Sequence, residues 1–299
     1  MTIYTHADRN VRRTIVLMSV FLVLIVALGW FFSYVFDNPS ILVIAVILSI
    51  AMNVGGYWFS DKIVLSLSGA RLVNSEEHKD LWNIVENLSI TAGLPMPKLY
   101  CIDDSVPNAF ATGRNKEHAA VAVTTGLLSL LERSELEGVI AHELSHVGNK
   151  DMLLSTIVVV LVGFITLLSD FFLRMNYLGG RRDKNSGNVG LVLMLVGVLL
   201  AILSPLIATL IQLAISRKRE YLADASGVLL TRYPDGLAKA LEKIGAVGGK
   251  MHRANHATAH LFISNPFGSV KERQSFFTRI WSTHPPIEER VKILREMNK

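Results

Sequence analysis

The stretch RSELEGVIAHELSHVGNKD, residues 133–151, decides the fold of this chain. Ser134 and Glu137 stand at the spacing of a capping box near its start, and apolar residues then recur at helical intervals. The stretch is therefore predicted to be a helix. Residues four apart on a helix share a face, so His142 and His146 can reach one metal ion while Glu143 lies one step around.

This arrangement is typical of zinc-dependent peptide hydrolases. Zinc lowers the pKa of a water molecule to about 7 and polarises the scissile carbonyl, and a glutamate takes the proton and passes it to the leaving amine. Glu143 is the predicted general base. The alternative is a solvated helix with two incidental histidines; it is disfavoured because Leu144 and the apolar residues before Ala141 already bury one side.

A catalytic zinc takes three protein ligands and leaves one position to water. Glu220 is the strongest candidate for the third ligand, and Asp224 follows four residues later on the same helical face. One carboxylate can bind zinc while the other holds the free nitrogen of a histidine ligand. The alternative is that Glu220 pairs with Arg217 or with a neighbouring helix.

The composition predicts a membrane protein. The 299 residues are 51% hydrophobic and 18% charged, which is too apolar for a soluble domain of this length. The net charge of +5 comes from basic residues beside apolar runs, such as Arg12 and Arg13, which argues against nucleic acid as a partner. Because Cys101 is the single cysteine, an internal disulfide is excluded.

Apolar runs predict four transmembrane helices in two hairpins, at residues 14–36, 41–59, 152–169 and 191–215. The arginines before the first run place the N-terminus inside the cell, so both soluble segments should be cytoplasmic. The basic loop 174–190 conflicts with this rule, so the second hairpin either crosses the membrane or enters without crossing; crossing is favoured. Charges flanking the HELSH helix exclude its burial in the bilayer.

Four divisions of the chain follow from these spans. Residues 1–60 form an N-terminal transmembrane hairpin, and residues 61–151 form the first half of a cytoplasmic catalytic domain with the HELSH helix. Residues 152–216 form the second hairpin, and residues 217–299 complete the catalytic domain with the third zinc ligand. The strand-like stretches LYCIDD and AAVAVTTGLL, at 99–104 and 119–128, predict a small sheet, so the fold class is α+β.

HELSH, followed by REYLADASG (219–227), together with NAFATG (108–113) and THPPIEERV (283–291), resembles the HtpX family of bacterial membrane proteases, relatives of the CAAX prenyl endopeptidases. The resemblance implies a mainly helical, gluzincin-like zinc protease domain with one Zn²⁺ per chain. It implies His142, His146 and Glu220 as zinc ligands, Glu143 as base and Asp224 as support. It also implies a multi-pass protein of the inner (cytoplasmic) membrane that degrades misfolded membrane proteins in quality control and stress response.

Three further residues have open roles. His284 precedes two prolines that fix its backbone, and it is predicted to stabilise the oxyanion, the alternative being a helix-start residue. Asn108 either binds the substrate backbone or shapes a turn. Arg290 either pairs with a site carboxylate or lies on a solvated helix face, and the solvated face is the default expectation.

Three further histidines could bind a second metal ion, and a non-catalytic function is also possible. His252, His256 and His260 stand at four-residue intervals and form a second metal site only if a helix aligns them; without an acidic partner, incidental histidines are favoured. A non-catalytic zinc-binding membrane scaffold or transporter is the alternative function. Glu143 argues against it, because a structural zinc is closed by a fourth ligand and needs no base.

Overall fold

The computed structural model describes residues 3–179, 195–199, 217–255, 258–268 and 285–297. The helices are α1 (Ile3–Val35), α2 (Ser40–Leu67), α3 (Lys79–Ala92), α4 (Thr125–Leu130), α5 (Arg133–Gly148), α6 (Asp151–Gly179), α7 (Arg217–Thr231), α8 (Pro234–Val247) and α9 (Ile287–Glu296). The strands are β1 (Arg71–Leu72), β2 (Lys98–Ile102), β3 (Ala109–Gly113) and β4 (Ala119–Thr124).

The strands form one mixed sheet in the order β1-β2-β4-β3. Strands β2 and β4 run parallel, with Tyr100 opposite Ala122, whereas β1 and β3 are antiparallel to their neighbours. Every residue of β3 and β4 is buried. The predicted small sheet is therefore present, and it lies inside the protein.

The two faces of this sheet pack against different partners. One face contributes to the core formed with the helices α3, α5 and α8, through side chains that include Leu99, Val121 and Val123. The other face packs on α2 and α6, through Ile102, Phe110 and Ala122 against Val64 and Val159. The sheet thus joins the soluble helices to the apolar ones.

Three described helices are long and apolar enough to cross a membrane: Asn10–Val35, Ser40–Leu67 and Asp151–Phe171. They correspond to the first three predicted spans. A turn with Asp37 at φ 49° joins α1 to α2, and the Asn38 side chain accepts a hydrogen bond from the Ser40 amide at 3.0 Å. The fourth predicted span, 191–215, lies outside the described residues except for 195–199, which are helical.

The predicted helix over the HELSH stretch is present, but its capping pair differs from the prediction. Helix α5 begins at Arg133, and the Glu135 side chain accepts a hydrogen bond from the Glu132 amide at 2.9 Å. Ser134 already lies within the helix, and Glu137 pairs instead with Arg133 at 3.1 Å. The capping box is shifted by two residues because a glutamate, rather than the serine, stands before the first helical residue.

A close approach of α7 to α5 positions the residues before Gly227. A Cβ at Gly227 would lie 3.0 Å from the backbone nitrogen of His142 and 3.2 Å from the carbonyl carbon of Ala141. Only glycine allows the two backbones this contact without displacement. Glu220 and Asp224, which stand about two turns and one turn earlier on α7, are thereby held over the histidines of α5.

Replacing Gly227 with alanine should weaken metal binding. The added methyl group pushes α7 away from α5 by a few tenths of an ångström and moves Glu220 with it, so we expect roughly tenfold lower zinc affinity, as for other changes around metal ligands. Competition against a chelator measures this. Gly55→Ala is the matched control, because a Cβ there meets nothing within 4 Å. Equal affinities for the two variants and the natural chain would contradict this account of the helix contact.

Candidate metal centre

Three side chains converge where α5 meets α7. The Nε2 atoms of His142 and His146 lie 3.2 Å apart. Glu220 carboxylate oxygens lie 3.6 Å from Nε2 of His146 and 3.8 Å from Nε2 of His142. The three predicted ligands are therefore brought together, with one potential ligand atom from each within 4.8 Å of the others.

The distances among the three side chains fit the coordination of a tetrahedral metal ion. Bonds of about 2.0–2.1 Å at tetrahedral angles place ligand atoms roughly 3.3 Å apart, close to the separations of these three groups. His142 and Glu220 are buried, and His146 is partly buried. Two imidazoles and one carboxylate are the donor set of many catalytic zinc sites. The fourth side faces a cavity that Glu143 also lines.

Each histidine turns its second nitrogen towards a carboxylate. Asp224 Oδ1 lies 2.9 Å from Nδ1 of His142, as expected for the predicted supporting residue. Asp151 Oδ2 lies 3.5 Å from Nδ1 of His146, a contact that sequence reasoning missed. Such carboxylates favour the tautomer that presents Nε2 to a metal. The signal for it in the sequence is an acidic residue three positions after the end of α5. A left-handed backbone conformation at Lys150 turns the chain so that Asp151 faces His146.

Arg290 lies inside the site, and the default expectation of a solvated helix face is wrong. Its guanidinium contacts both oxygens of Asp224, with Nη2 at 2.6 Å and Nε at 2.9 Å, and its Nη1 lies 3.8 Å from Glu220. The side chain is 1% exposed because α9 buries Val291 and Leu294 on the same side. The paired carboxylates offset the cost of burying this cation.

The buried charges of the site are unbalanced when all carboxylates are ionised and both imidazoles are neutral, as metal ligation requires. The described site holds four buried carboxylates and two buried guanidinium groups, namely Glu143, Asp151, Glu220, Asp224, Arg219 and Arg290. With neutral imidazoles the sum is four negative charges and two positive charges, a deficit of two. One divalent cation at the histidines would remove that deficit, so the net charge of the buried site also fits a metal such as zinc.

Burial and neighbouring charges shift the pKa values of the site in the metal-free protein. Burial opposes a charged His146, but the hydrogen bond to Asp151 and the charge of Glu220 raise its pKa to about 9. Burial lowers the pKa of His142. Burial opposes ionisation of Asp224, but the charge of Arg290 brings its pKa down to about 2.

Glu143 has an altered acidity of its own. Burial is the main cause that raises its pKa to about 7, and the nearby charge of Glu220 acts in the same direction. A carboxyl group with a pKa near neutrality can both take and return a proton at physiological pH. In the metal-free protein, Glu143 therefore lies beside the histidines with a raised pKa.

Asn108 has a structural position. Its side-chain amide donates to the Ser264 carbonyl at 3.0 Å and accepts from the Ser264 amide at 3.2 Å, while its own backbone amide donates to Thr124 Oγ1 at 2.9 Å. Asn108 thus fastens the segment 258–268 to the sheet. This geometry favours the turn-shaping role over substrate binding.

The remaining predicted histidines do not form a second metal site in the described structure. His252 lies in a turn, and His260 lies in a 3-10 turn, Ala259–Leu261, so no described helix aligns them. Nε2 of His260 lies 3.2 Å from the Ser155 carbonyl, and the side chain lines the cavity of the metal centre. His256 and the predicted oxyanion residue His284 lie outside the described residues.

Comparisons with known protein sequences identify the family of this chain. Residues 75–298 match peptidase family M48. A protease HtpX homolog of Caldanaerobacter subterraneus is 46% identical over 99% of this chain and 98% of the relative. A protease HtpX homolog of Pyrococcus abyssi is 48% identical over 95% of each.

A solved structure shows the same fold. The crystal structure of S. mikatae Ste24p aligns with a TM-score of 0.50 at 18% identity, covering 97% of this chain and 67% of that one. The predicted fold class is confirmed as mostly helical with a small mixed sheet, with three apolar helices described rather than four. From the family match and the full-length relatives, the chain belongs to peptidase family M48 and is a membrane-associated metallopeptidase of the HtpX type.

Proposed function

We propose that this protein is an integral-membrane endopeptidase that uses one zinc ion, held by His142, His146 and Glu220. The observation that carries the proposal is the convergence of these three side chains. Glu143, on α5 with the two histidines, lines the cavity beside them. The buried deficit of two positive charges supports a divalent ion, and the donor set favours zinc.

Different residues of the protein have different proposed roles in peptide hydrolysis. A bound zinc ion supplies Lewis acidity, which acidifies water and polarises the scissile carbonyl. Glu143 takes a proton from the attacking water on its carboxylate and returns it to the leaving amine. Asp224, itself clamped by Arg290, holds the imidazole of His142 in one orientation. His284 is proposed to stabilise the oxyanion, as its position before two prolines predicts.

The catalytic unit is proposed to combine residues 61–151 with residues 217–299, flanked by transmembrane hairpins at 1–60 and 152–216. The packing of α7 and α8 on α5 supports a single unit built from both segments. Arg12 and Arg13, at the start of the first span, support a cytoplasmic site.

The substrates are proposed to be membrane proteins, cut where they leave the bilayer, as part of quality control. Asp151, Met152 and Ser155 line the cavity of the metal centre, and they also form the beginning of an apolar helix that continues to Phe171. The cavity therefore lies at one end of a helix that is proposed to span the membrane. A chain emerging from the bilayer reaches it without crossing a large soluble domain.

Glu143→Gln should abolish proteolysis and leave zinc bound. The amide cannot take the proton, and loss of a general base lowers rates by roughly 10²–10⁴. Casein cleavage by detergent-purified protein and metal content of the same samples measure both effects. Glu137→Gln, on the exposed side of α5, is the control and should cleave normally. Full activity of Glu143→Gln would remove the base assignment, and zinc without cleavage in the natural chain would favour the scaffold.

Glu220→Ala should lower the zinc content. The change removes one of three proposed ligands and leaves two imidazoles, so we expect substoichiometric metal after dialysis against a weak chelator. Glu242→Ala is the control, since that carboxylate is exposed and pairs with Arg295 at 2.7 Å. Metal analysis of both proteins decides the matter. Full zinc occupancy in Glu220→Ala would take this residue out of the ligand set.

Zinc affinity should rise with pH between 6 and about 9. In the metal-free protein, the His146 pKa of about 9 keeps the imidazole protonated, and zinc must displace that proton. One displaced proton changes the apparent affinity by about tenfold per pH unit, with weaker binding at lower pH. Competition with a chelator of known acidity measures the slope. An affinity that does not change with pH would contradict this protonation state.

A further inference from the structure

A hydrogen-bonded network joins the first apolar helix to the metal centre. Its middle residue is Asp151, which is 4% exposed and begins α6. Asp151 Oδ1 accepts from Asn10 Nδ2 at 2.6 Å and lies 3.4 Å from Nη1 of Arg219, while its Oδ2 lies 3.5 Å from Nδ1 of His146. One carboxylate therefore contacts residues of α1, α5 and α7.

We propose that Asp151 is a positioning residue for His146 and that Asn10 holds Asp151 in place, so that metal binding depends on the docking of α1. The inference rests on the proposed function, because it takes His146 as a zinc ligand. It adds a residue of the first membrane helix to the support of the metal site.

The two oxygens of Asp151 have different partners, and this division supports the positioning role. Oδ1 is occupied by the amide of Asn10 and the guanidinium of Arg219, which leaves Oδ2 to face the imidazole. A carboxylate held on one side has a fixed orientation on the other. Carboxylates that fix a metal-bound imidazole in this way typically change metal affinity by 10–100-fold when they are removed.

Asn10 has a specific reason to be polar. It is 4% exposed and stands at the first position of the apolar span Asn10–Val35. An amide buried without a partner is costly because it loses its hydrogen bonds to water, so a leucine would suit simple helix packing there better. The short hydrogen bond to Asp151 accounts for the amide, and it links α1 to the site.

The carboxylate partners of the two histidines are held by different parts of the protein. Asp224, the partner of His142, is held by Arg290 of α9, which belongs to the soluble part. Asp151, the partner of His146, is held by Arg219 of α7 and, at the shorter distance, by Asn10 of α1. Displacement of α1 should therefore affect the His146 half of the metal site first.

The test compares zinc affinities of Asn10→Leu, Asp151→Asn and the double variant. We expect about tenfold weaker binding for Asp151→Asn, a smaller loss for Asn10→Leu, and no added loss in the double variant, because both changes break one chain of contacts. Asn53→Leu is the control. Asn53 is buried in α2 and, among the described residues, its side chain donates to Ser49 of its own helix, so the zinc affinity of this variant should stay unchanged.

Visible absorption of the Co²⁺-substituted proteins adds a readout of ligand geometry. We expect the spectrum to change in Asn10→Leu and to stay unchanged in Asn53→Leu, even if both lower the melting temperature. Zinc affinity of Asn10→Leu within twofold of the natural chain, or additive losses in the double variant, would overturn the inference. His146→Ala separates the two proposals: unchanged zinc binding there would refute the proposed ligand set itself.

Discussion

A buried excess of negative charge is the constraint on which the rest of this structure depends. Carboxylates inside a protein are costly unless cations or hydrogen bonds offset them, and here four of them surround two imidazoles. Arg290 and Arg219 offset part of that charge. Protons on His146 and Glu143 offset more of it in the metal-free protein, and a divalent ion would take their place. Because the charged groups come from α5, α6, α7 and α9, the same electrostatic balance also joins these helices to one another. Stability and metal binding are therefore coupled at this site.

The position of the sheet explains how the metal site is joined to the long apolar helices. One face of the sheet packs on α3, α5 and α8 and the other on α2 and α6, so β3 and β4 are buried on both sides. Helix α6 starts three residues after α5 ends, and its first turns line the cavity of the metal centre. Membrane anchor and active site are thus parts of one packed structure, and this continuity makes an effect of α1 on the metal site physically reasonable.

Local spacing predicted much of the site, and tertiary contacts supplied the remainder. The pairs His142 with His146 and Glu220 with Asp224 could be predicted because helical periodicity alone puts each pair on one face. Arg290 was misjudged because a cation on a short amphipathic helix looks solvated until the carboxylates it meets are known. Asp151 was missed because its approach to His146 depends on the left-handed turn at Lys150. The capping box was predicted two residues too late, because Ser134 and Glu137 have the same spacing as Glu132 and Glu135, which form it.

X-ray absorption at the zinc edge of the zinc-loaded, detergent-purified protein tests the central claim most directly. The account predicts one zinc ion per chain, bound by nitrogen and oxygen at about 2.0–2.1 Å, with two imidazoles in the coordination shell and four-coordinate geometry. Loss of one imidazole from the spectrum of His142→Ala would agree with it. A shell without imidazole, or a zinc spectrum that stays unchanged in His142→Ala, would contradict the proposed metal centre.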